Sequence, residues 1–141
     1  MTSPQRHLVN REVVADNEAA ARAAHQRGDY VTCILLIHAL TEALLRAFLE
    51  KTGDERFSEL VERYEAFLIE QGQPQGTFVT ELNEFNRRRN RIVHGLWGKG
   101  YTHTNRNLDA VCRAAFLVYG LFIEWLETFD PQITAYGFEC E

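Results

Sequence analysis

The sequence predicts an all-α protein, and two patterns carry that prediction. Apolar residues recur at intervals of three and four over most of the chain, which is the period of an amphipathic helix. No run alternates apolar and polar residues long enough to predict a strand, and glycine or proline separates the helical stretches. We therefore expect an up-and-down helical bundle of about five helices, in one domain over residues 1–141 with its core at about residues 9–129.

The first two predicted helices differ in composition. The first covers about residues 9–27, is rich in alanine, and ends at Gly28, which can adopt the left-handed conformation that terminates helices. Its predicted buried face consists of Val13, Ala20, Ala21 and Ala24. The second, at about residues 30–52, carries apolar side chains around most of its circumference and ends at Gly53, so we expect it to be the central helix.

The third and fourth helices are predicted from caps and turns. Asp54 can cap a third helix whose apolar residues have the spacing i, i+3, i+4, i+7. These residues are Phe57, Leu60, Val61, Tyr64 and Leu68. Glycine and proline in residues 71–76 predict a turn, and Thr77 is the predicted cap of a fourth helix that ends at His94.

The last part of the chain is predicted to hold a loop and one more helix. Three glycines in residues 95–104 predict a flexible functional loop. A fifth helix is predicted for about residues 107–129, and Pro131 stops it before a short tail that is either docked or frayed. Apolar residues surround this helix on more sides than one packed face uses, so part of it is predicted to form the interface of a symmetric homodimer.

Cysteine usage and hydropathy predict a cytoplasmic protein with no membrane partner. Cys33, Cys112 and Cys140 cannot all pair, and none has the C-x-x-C spacing of a zinc or redox site. Residues 1–9 contain no apolar segment of the kind that a secretory signal needs. The nearly uncharged residues 110–123 are fewer than the ~20 that a membrane span requires.

Positive charge is concentrated in one segment of an acidic chain. The net charge is −5, but residues 81–106 contain six basic side chains and two acidic ones, which leaves −9 for the rest. The six basic residues are Arg87, Arg88, Arg89, Arg91, Lys99 and Arg106. A local positive patch of this kind is typical of a surface that binds phosphate groups.

Four polar residues of the fourth helix are predicted to share one arc. A helix turns by about 100° per residue, which places Arg89 on the apolar, core-facing stripe. A guanidinium in that position needs an acid, a dimer cleft or a bound anion as its partner. Asn86, Asn90 and His94 recur at intervals of four and form one polar line beside Arg89.

The segment Arg89-Asn90-Arg91-Ile92-Val93-His94 resembles the R-x(4–6)-H motif of the HEPN domains. These are all-helical proteins in which a polar residue often follows the arginine of the motif. As in that family, the motif ends the penultimate long helix, and the apolar second helix contains an acid, Glu42. The architecture resembles the family over about residues 9–129, and the six-residue motif is the specific part of the likeness.

The resemblance implies a metal-independent endoribonuclease of toxin or defence type, with two copies of the motif in a cleft across a dimer axis. Its implied catalytic residues are Arg89, Asn90 and His94. The predicted substrate-binding residues are Asn86, Arg87, Arg88, Arg91 and Lys99. No metal and no cofactor is implied, and the expected partners are RNA, a second copy of the chain, and an antitoxin or nucleotidyltransferase.

The residue types suit attack of a ribose 2′-hydroxyl on the adjacent phosphate. That reaction needs a proton acceptor, a proton donor and positive charge at the phosphoryl oxygens. His94 at the predicted helix end would rest as the protonated acid, and Asn90 can orient its ring. Some toxins of the family are silenced by modification of a tyrosine two residues after the histidine, but Leu96 occupies that position here.

Other interpretations of these residues stay open. Arg89 could form a structural salt bridge with Glu42, which would also support a catalytic arginine. His94 could simply cap backbone carbonyls at a helix end. His38, Glu42 and Arg46 are four residues apart and are interpreted as a polar seam that faces the fourth helix.

Two further alternatives concern the loop and the whole chain. The aromatic residues Trp97, Tyr101 and His103 could stack on unpaired bases or pack beneath their own loop. Instead of an enzyme, the chain could be a non-catalytic nucleotide- or RNA-binding module, or a structural helical partner that dimerises through its fifth helix.

Overall fold

The computed structural model describes residues 10–51 and 53–138. Several sequence-based expectations fall outside these residues. They are the absence of a signal in residues 1–9, the helix start at Val9, the helix end at Thr52, and the role of Cys140.

The described chain is all-helical, which confirms the predicted fold class. It contains six α-helices and one 3-10 helix, and no strand occurs in residues 10–51 or 53–138. The α-helices are α1 (Arg11–Gln26), α2 (Tyr30–Leu49), α3 (Phe57–Glu70), α4 (Val79–Lys99), α5 (Tyr101–Asn105) and α6 (Asp109–Glu127), and the 3-10 helix is Pro131–Tyr136. The fifth helix expected from the sequence is therefore α6.

Helix α2 lies at the centre and contacts every other helix. Ten of its twenty residues are buried, including Ile34, Ile37 and Leu44, which have no exposed surface. By length and composition alone α2 could cross a membrane, but 56% of its most apolar window is buried inside the protein. Contacts with α1, α3 and α6 account for most of its apolar circumference, and a narrow side with Ala39, Glu42 and Ala43 stays open to solvent.

Local signals explain where the first helices begin and end. The Asn10 side chain accepts hydrogen bonds from the backbone of α1, and Gly28 ends the following turn at φ +79°. Helix α2 ends earlier than predicted because Glu50, not Gly53, takes the left-handed conformation. Asp54 does not cap α3, since the Glu59 carboxylate instead accepts from the backbone N–H of Arg56 at 2.8 Å.

The buried stripes confirm one prediction and correct another. All five apolar residues predicted for the third helix are buried in α3. On α1 the predicted Ala21 and Ala24 are buried, but Val13 is 54% exposed, and Val14 and Glu18 are buried instead. Neighbouring residues of a helix point about 100° apart, and an alanine-rich helix offers too little contrast to show which of Val13 and Val14 faces the core.

The start of α4 also differs from the prediction. Thr77 does not cap the helix, because its carbonyl accepts from the Tyr64 hydroxyl at 2.6 Å and Phe78 takes the N-cap position at φ +71°. A bulky residue rarely adopts this conformation. Here the ring of Phe78 packs against Phe122 and Trp125, so tertiary contacts hold the backbone in place.

The predicted flexible loop at residues 95–104 is wrong. Helix α4 continues through Gly95 and Gly98 to Lys99, and α5 follows after Gly100 at φ +90°. Gly95 serves close packing, since a Cβ on it would lie 2.9 Å from the Thr104 hydroxyl oxygen of α5. Gly95 therefore lets the two helices approach closely, and Gly100 supplies the left-handed turn between them.

Helix α5 is anchored on the turn between α1 and α2. The Tyr101 hydroxyl donates to the Asp29 carboxylate at 2.8 Å. The Asn105 side chain donates to the Gly28 carbonyl at 2.8 Å and accepts from the backbone N–H of Val31 at 3.0 Å. Burial raises the pKa of Asp29, but hydrogen bonds from Thr32 and Tyr101 outweigh it and leave that pKa below its usual value.

The C-terminal tail is docked as far as the structure describes it, to Phe138, which agrees with one of the two predicted alternatives. Ile133 of the 3-10 helix and Phe138 after it are fully buried and join the single hydrophobic cluster. The 3-10 helix contacts α1, α2 and α6, so this segment closes the end of the core.

Candidate nucleic-acid cleft

The motif side chains lie on the outer part of α4. Arg89 is half-buried, and its Nη1 donates a hydrogen bond of 3.0 Å to the exposed Asn90 side-chain oxygen. His94 is exposed, and its ring centroid lies 5.2 Å from that of Trp97. The prediction that His94 ends its helix is wrong, because α4 runs five residues further to Lys99, and the helix-end argument for a protonated ring is lost with it.

A cleft of about 820 Å³ opens beside the motif, between α4, α5 and the turn before α6. Its lining contains Asn90, His94, His103 and Thr104, together with the cations Arg88, Arg91, Lys99 and Arg106. No acidic side chain is among the lining residues. We refer to this surface as the cationic cleft.

None of the four cations of the cleft forms an ion pair within the described part of the chain, although the charges of Arg88 and Arg91 help to lower the pKa of Glu84, which lies outside the cleft. The ion pairs found there involve other basic residues, such as Arg46, Arg87 and Arg113. Four positive charges that form no ion pair repel one another, and an anion with several charged oxygens would relieve that repulsion. The cationic cleft therefore has the electrostatics of a phosphate-binding surface.

The structure brings together only some of the predicted substrate-binding residues. Arg88, Arg91 and Lys99 line the cleft, as expected. Arg87 does not line it and is paired with Glu84, whose pKa that hydrogen bond holds below its usual range. The substrate-binding role of Arg87 stays a prediction, and in the structure an exposed ion pair at i, i+3 on the same helix engages its guanidinium outside the cleft.

Asn86 also lies away from the cleft. Its side-chain oxygen is 2.9 Å from Nε2 of His38 on α2, so the amide faces the seam between the two helices and not the substrate surface. An amide oxygen only accepts, which places the ring proton of His38 on Nε2. The expected polar line along α4 is therefore divided, with Asn86 on the α2 side and Asn90 with His94 at the cleft.

The predicted ion pair between Glu42 and Arg89 is absent from the described contacts. The Glu42 carboxylate instead pairs at 3.1 Å with Arg46, one turn further along α2. Arg46 also donates to the Gly53 carbonyl at 2.8 Å and pairs with Glu55 at 3.1 Å. Arg46 is thus fixed close to Glu42 by three groups, and the supporting role proposed for Glu42 cannot operate through a salt bridge to Arg89.

His38 is the buried titratable group beneath the motif. It is 4% exposed and stacks on Phe57 with a centroid distance of 4.4 Å. Burial lowers its pKa, and the charge of Arg89 lowers it further, although the hydrogen bond to Asn86 acts in the opposite direction. His38 is therefore a neutral link between α2 and the motif helix at neutral pH.

The neutral His38 predicts loss of stability in mild acid. Its folded-state pKa is below the 6.5 of the unfolded chain, so the unfolded state takes up the proton first as the pH falls. The contribution of neutral His38 to the free energy of unfolding is complete above pH 6.5 and is lost as the pH falls below it. In that range the free energy of unfolding should fall by up to about 1.4 kcal/mol per pH unit. Urea unfolding between pH 8 and pH 5 measures it, and His38→Gln should flatten the slope, whereas His103→Gln should leave it unchanged. An unchanged slope in His38→Gln would contradict this reading.

Two residues of the cleft were underestimated from the sequence. The sequence places Arg106 in the positive patch without assigning it a role, and it suggests only base stacking or packing beneath the loop for His103. Both reach the cleft because α5 is docked on α2 and packs against α4 at Gly95, which are contacts between distant parts of the chain. His103 therefore shares one cleft with His94.

No family model matches the chain, and no curated protein or solved structure matches it closely enough to show a relationship. In the part of the chain that is described, no three His, Cys, Asp or Glu side chains cluster in a way that could hold a metal ion. The site is therefore characterised by the geometry of α4 and α5 and by its charge.

Proposed function

We propose that this chain is a HEPN-type, metal-independent endoribonuclease of toxin or defence type that acts as a symmetric homodimer of helical bundles in the cytoplasm. The observation that carries the proposal is the cationic cleft, in which four basic side chains and no acid surround His94. The chain as a whole has a net charge of −5, so its other surfaces repel a polyanion. RNA binding is therefore confined to the cationic cleft.

The proposed reaction is attack of a ribose 2′-oxygen on the adjacent phosphorus. The 2′-hydroxyl proton passes to a base, the bond from phosphorus to the 5′-oxygen breaks, and the leaving oxygen takes a proton from an acid. The products are a 2′,3′-cyclic phosphate and a 5′-hydroxyl. His94 supplies proton transfer, with the two copies of a dimer dividing the acid and base roles, and Arg89 stabilises the charge on the phosphoryl oxygens.

Asn90 has a positioning role in this proposal. Its oxygen accepts from Arg89 at 3.0 Å, and the side chain lines the same cleft as His94. Arg89 is half-buried and is not among the residues that line the cleft, so this hydrogen bond is the contact that ties its guanidinium to the cleft. Arg88, Arg91, Lys99 and Arg106 hold the neighbouring phosphates of the chain.

An apolar face on α6 supports the proposed dimer. Leu117 is 63% exposed and Leu121 is 45% exposed, and other residues of α6 line an apolar groove of about 430 Å³ against α4. Large exposed apolar side chains in one patch are typical of protein interfaces. Arg88 lines both this groove and the cationic cleft, so a second copy seated on α6 would lie next to the cleft.

The dimer is tested by placing a charge in this face. We expect the wild-type protein to have twice the 16.3 kDa mass of the chain in light scattering, and Leu117→Asp to have the single mass with reduced RNA cleavage. Ile69→Asp is the matched control, because Ile69 is 60% exposed on α3 and should leave the dimer intact. A wild-type monomer that cleaves RNA would contradict the composite cleft.

The activity is tested with a single-stranded RNA and its 2′-O-methyl counterpart in excess chelator. We expect cleavage of the RNA alone, because the methylated strand has no nucleophile. Tight binding of both strands with no product would favour the alternative of a non-catalytic RNA-binding module. Cleavage of both strands, or of RNA only after a metal ion is added, would contradict the proposed chemistry.

A further inference from the structure

Trp97 is the most exposed large apolar side chain in the described part of the chain, with 75% of its surface open to solvent. The other tryptophan behaves differently. Trp125 donates from its indole N–H to the Tyr64 hydroxyl at 2.8 Å and packs among aromatic rings. An indole left in water on a polar helix face has no structural reason in the fold, and such a side chain is typical of a surface that a ligand covers.

The position of Trp97 connects it to the candidate site. It follows His94 by one helical turn, and the two ring centroids are 5.2 Å apart with the planes inclined by 44°. Because α4 continues to Lys99, Trp97 stands on a regular helix and not on a loop. The indole is therefore presented in a defined direction at the margin of the cationic cleft.

The other two aromatic candidates are placed differently. The Tyr101 hydroxyl donates to Asp29 in the turn before α2, and His103 lies within the cleft among its cations. Trp97 alone among the three combines a free ring face with contact to His94.

We propose that Trp97 is the stacking platform for the nucleobase next to the cleaved phosphate, so that the substrate must be single-stranded at that nucleotide. This inference rests on the proposed function. The surrounding cations and the absence of acids from the cleft lining match a phosphate chain, and a base attached to that chain can extend from His94 onto the indole. A base within a duplex is already stacked and paired, so its face is not available to Trp97.

The test uses a short 2′-O-methyl oligonucleotide, which binds without being cleaved, as a single strand and as a duplex of the same sequence. We expect the single strand to quench the emission of Trp97 in the wild-type protein, and Trp97→Phe to show no such change because only Trp125 remains. Trp97→Ala should weaken single-strand binding by about 5- to 150-fold, the range for loss of one stacked base. Trp97→Phe should retain most of the affinity, since a phenyl ring also stacks.

Ile69→Ala is the control for removal of an exposed apolar side chain and should bind as the wild type does. Equal quenching by the duplex, or unchanged affinity in Trp97→Ala, would overturn the inference. A blue-shifted Trp97 emission in the free protein would overturn it as well, because the ring would then lie in the dimer interface. If quenching is seen and RNA is not cleaved, the ribonuclease proposal fails and the stacking platform stands.

Discussion

Replacing His94 by alanine is expected to lower kcat for RNA cleavage by about 10²–10⁴-fold, the usual contribution of a positioned acid or base. The side chain is exposed and its recorded contact is with the ring of Trp97, so the fold should be unaffected. Single-turnover cleavage of a fluorescent single-stranded RNA measures the effect. Circular dichroism and the urea midpoint of the variant should match those of the wild type.

The variant His94→Gln tests separately whether His94 transfers a proton or only forms hydrogen bonds. The amide keeps hydrogen-bonding capacity but cannot transfer a proton at neutral pH, so we expect a loss close to that of alanine. Recovery of activity in His94→Gln would mean that the residue only binds substrate. Full activity of either variant, after purification that removes host ribonucleases, would rule out His94 as the catalytic group.

Replacing Arg89 by alanine is expected to lower kcat by about 10²–10³-fold, because a charged donor at the phosphoryl oxygens acts mainly in the transition state. Arg89→Lys should recover only part of the rate, since lysine keeps the charge and loses the planar, bidentate geometry. The measurement is the separate determination of kcat and KM for each variant at fixed salt.

Arg63→Ala is the matched control, since Arg63 is an exposed arginine on α3, away from the residues that line the cleft. It removes the same charge and should leave kcat unchanged.

By contrast, Arg91→Ala should raise KM and reduce the salt dependence of binding with little change in kcat, as expected for a group that holds a phosphate. An Arg89→Ala variant that changes KM alone would place Arg89 among such docking groups.

The helical architecture could be predicted because its signals are local. The i, i+3, i+4, i+7 stripe of α3 contains the same residues that are buried in the structure, and Gly28 ends α1 as expected. The errors arise where packing overrides a local signal. Gly95 was interpreted as a helix end, but the lack of a Cβ lets α5 approach α4, and Phe78 caps α4 in a strained conformation that Phe122 and Trp125 support.

Only the part of the candidate site that lies on a single helix, α4, could be predicted from the sequence. Helical spacing placed Asn90 and His94 on the same side of α4, and both line the cleft. The partners of Arg46 and Asn86 depend on loop residues and on α2, so spacing along one helix could not identify them. Arg106 lines the cleft only because α5 packs against the turn between α1 and α2, and the helical periodicity of the sequence does not predict that contact.

The central claim is that the side chains around His94 cleave RNA by 2′-hydroxyl attack without a metal ion. Mass spectrometry of the product ends, after digestion of a single-stranded RNA in excess chelator, tests it most directly. We predict 2′,3′-cyclic phosphate and 5′-hydroxyl ends from the wild-type protein and none from a matched His94→Ala preparation. Products with 3′-hydroxyl and 5′-phosphate ends, or the same products from both preparations, would contradict the account.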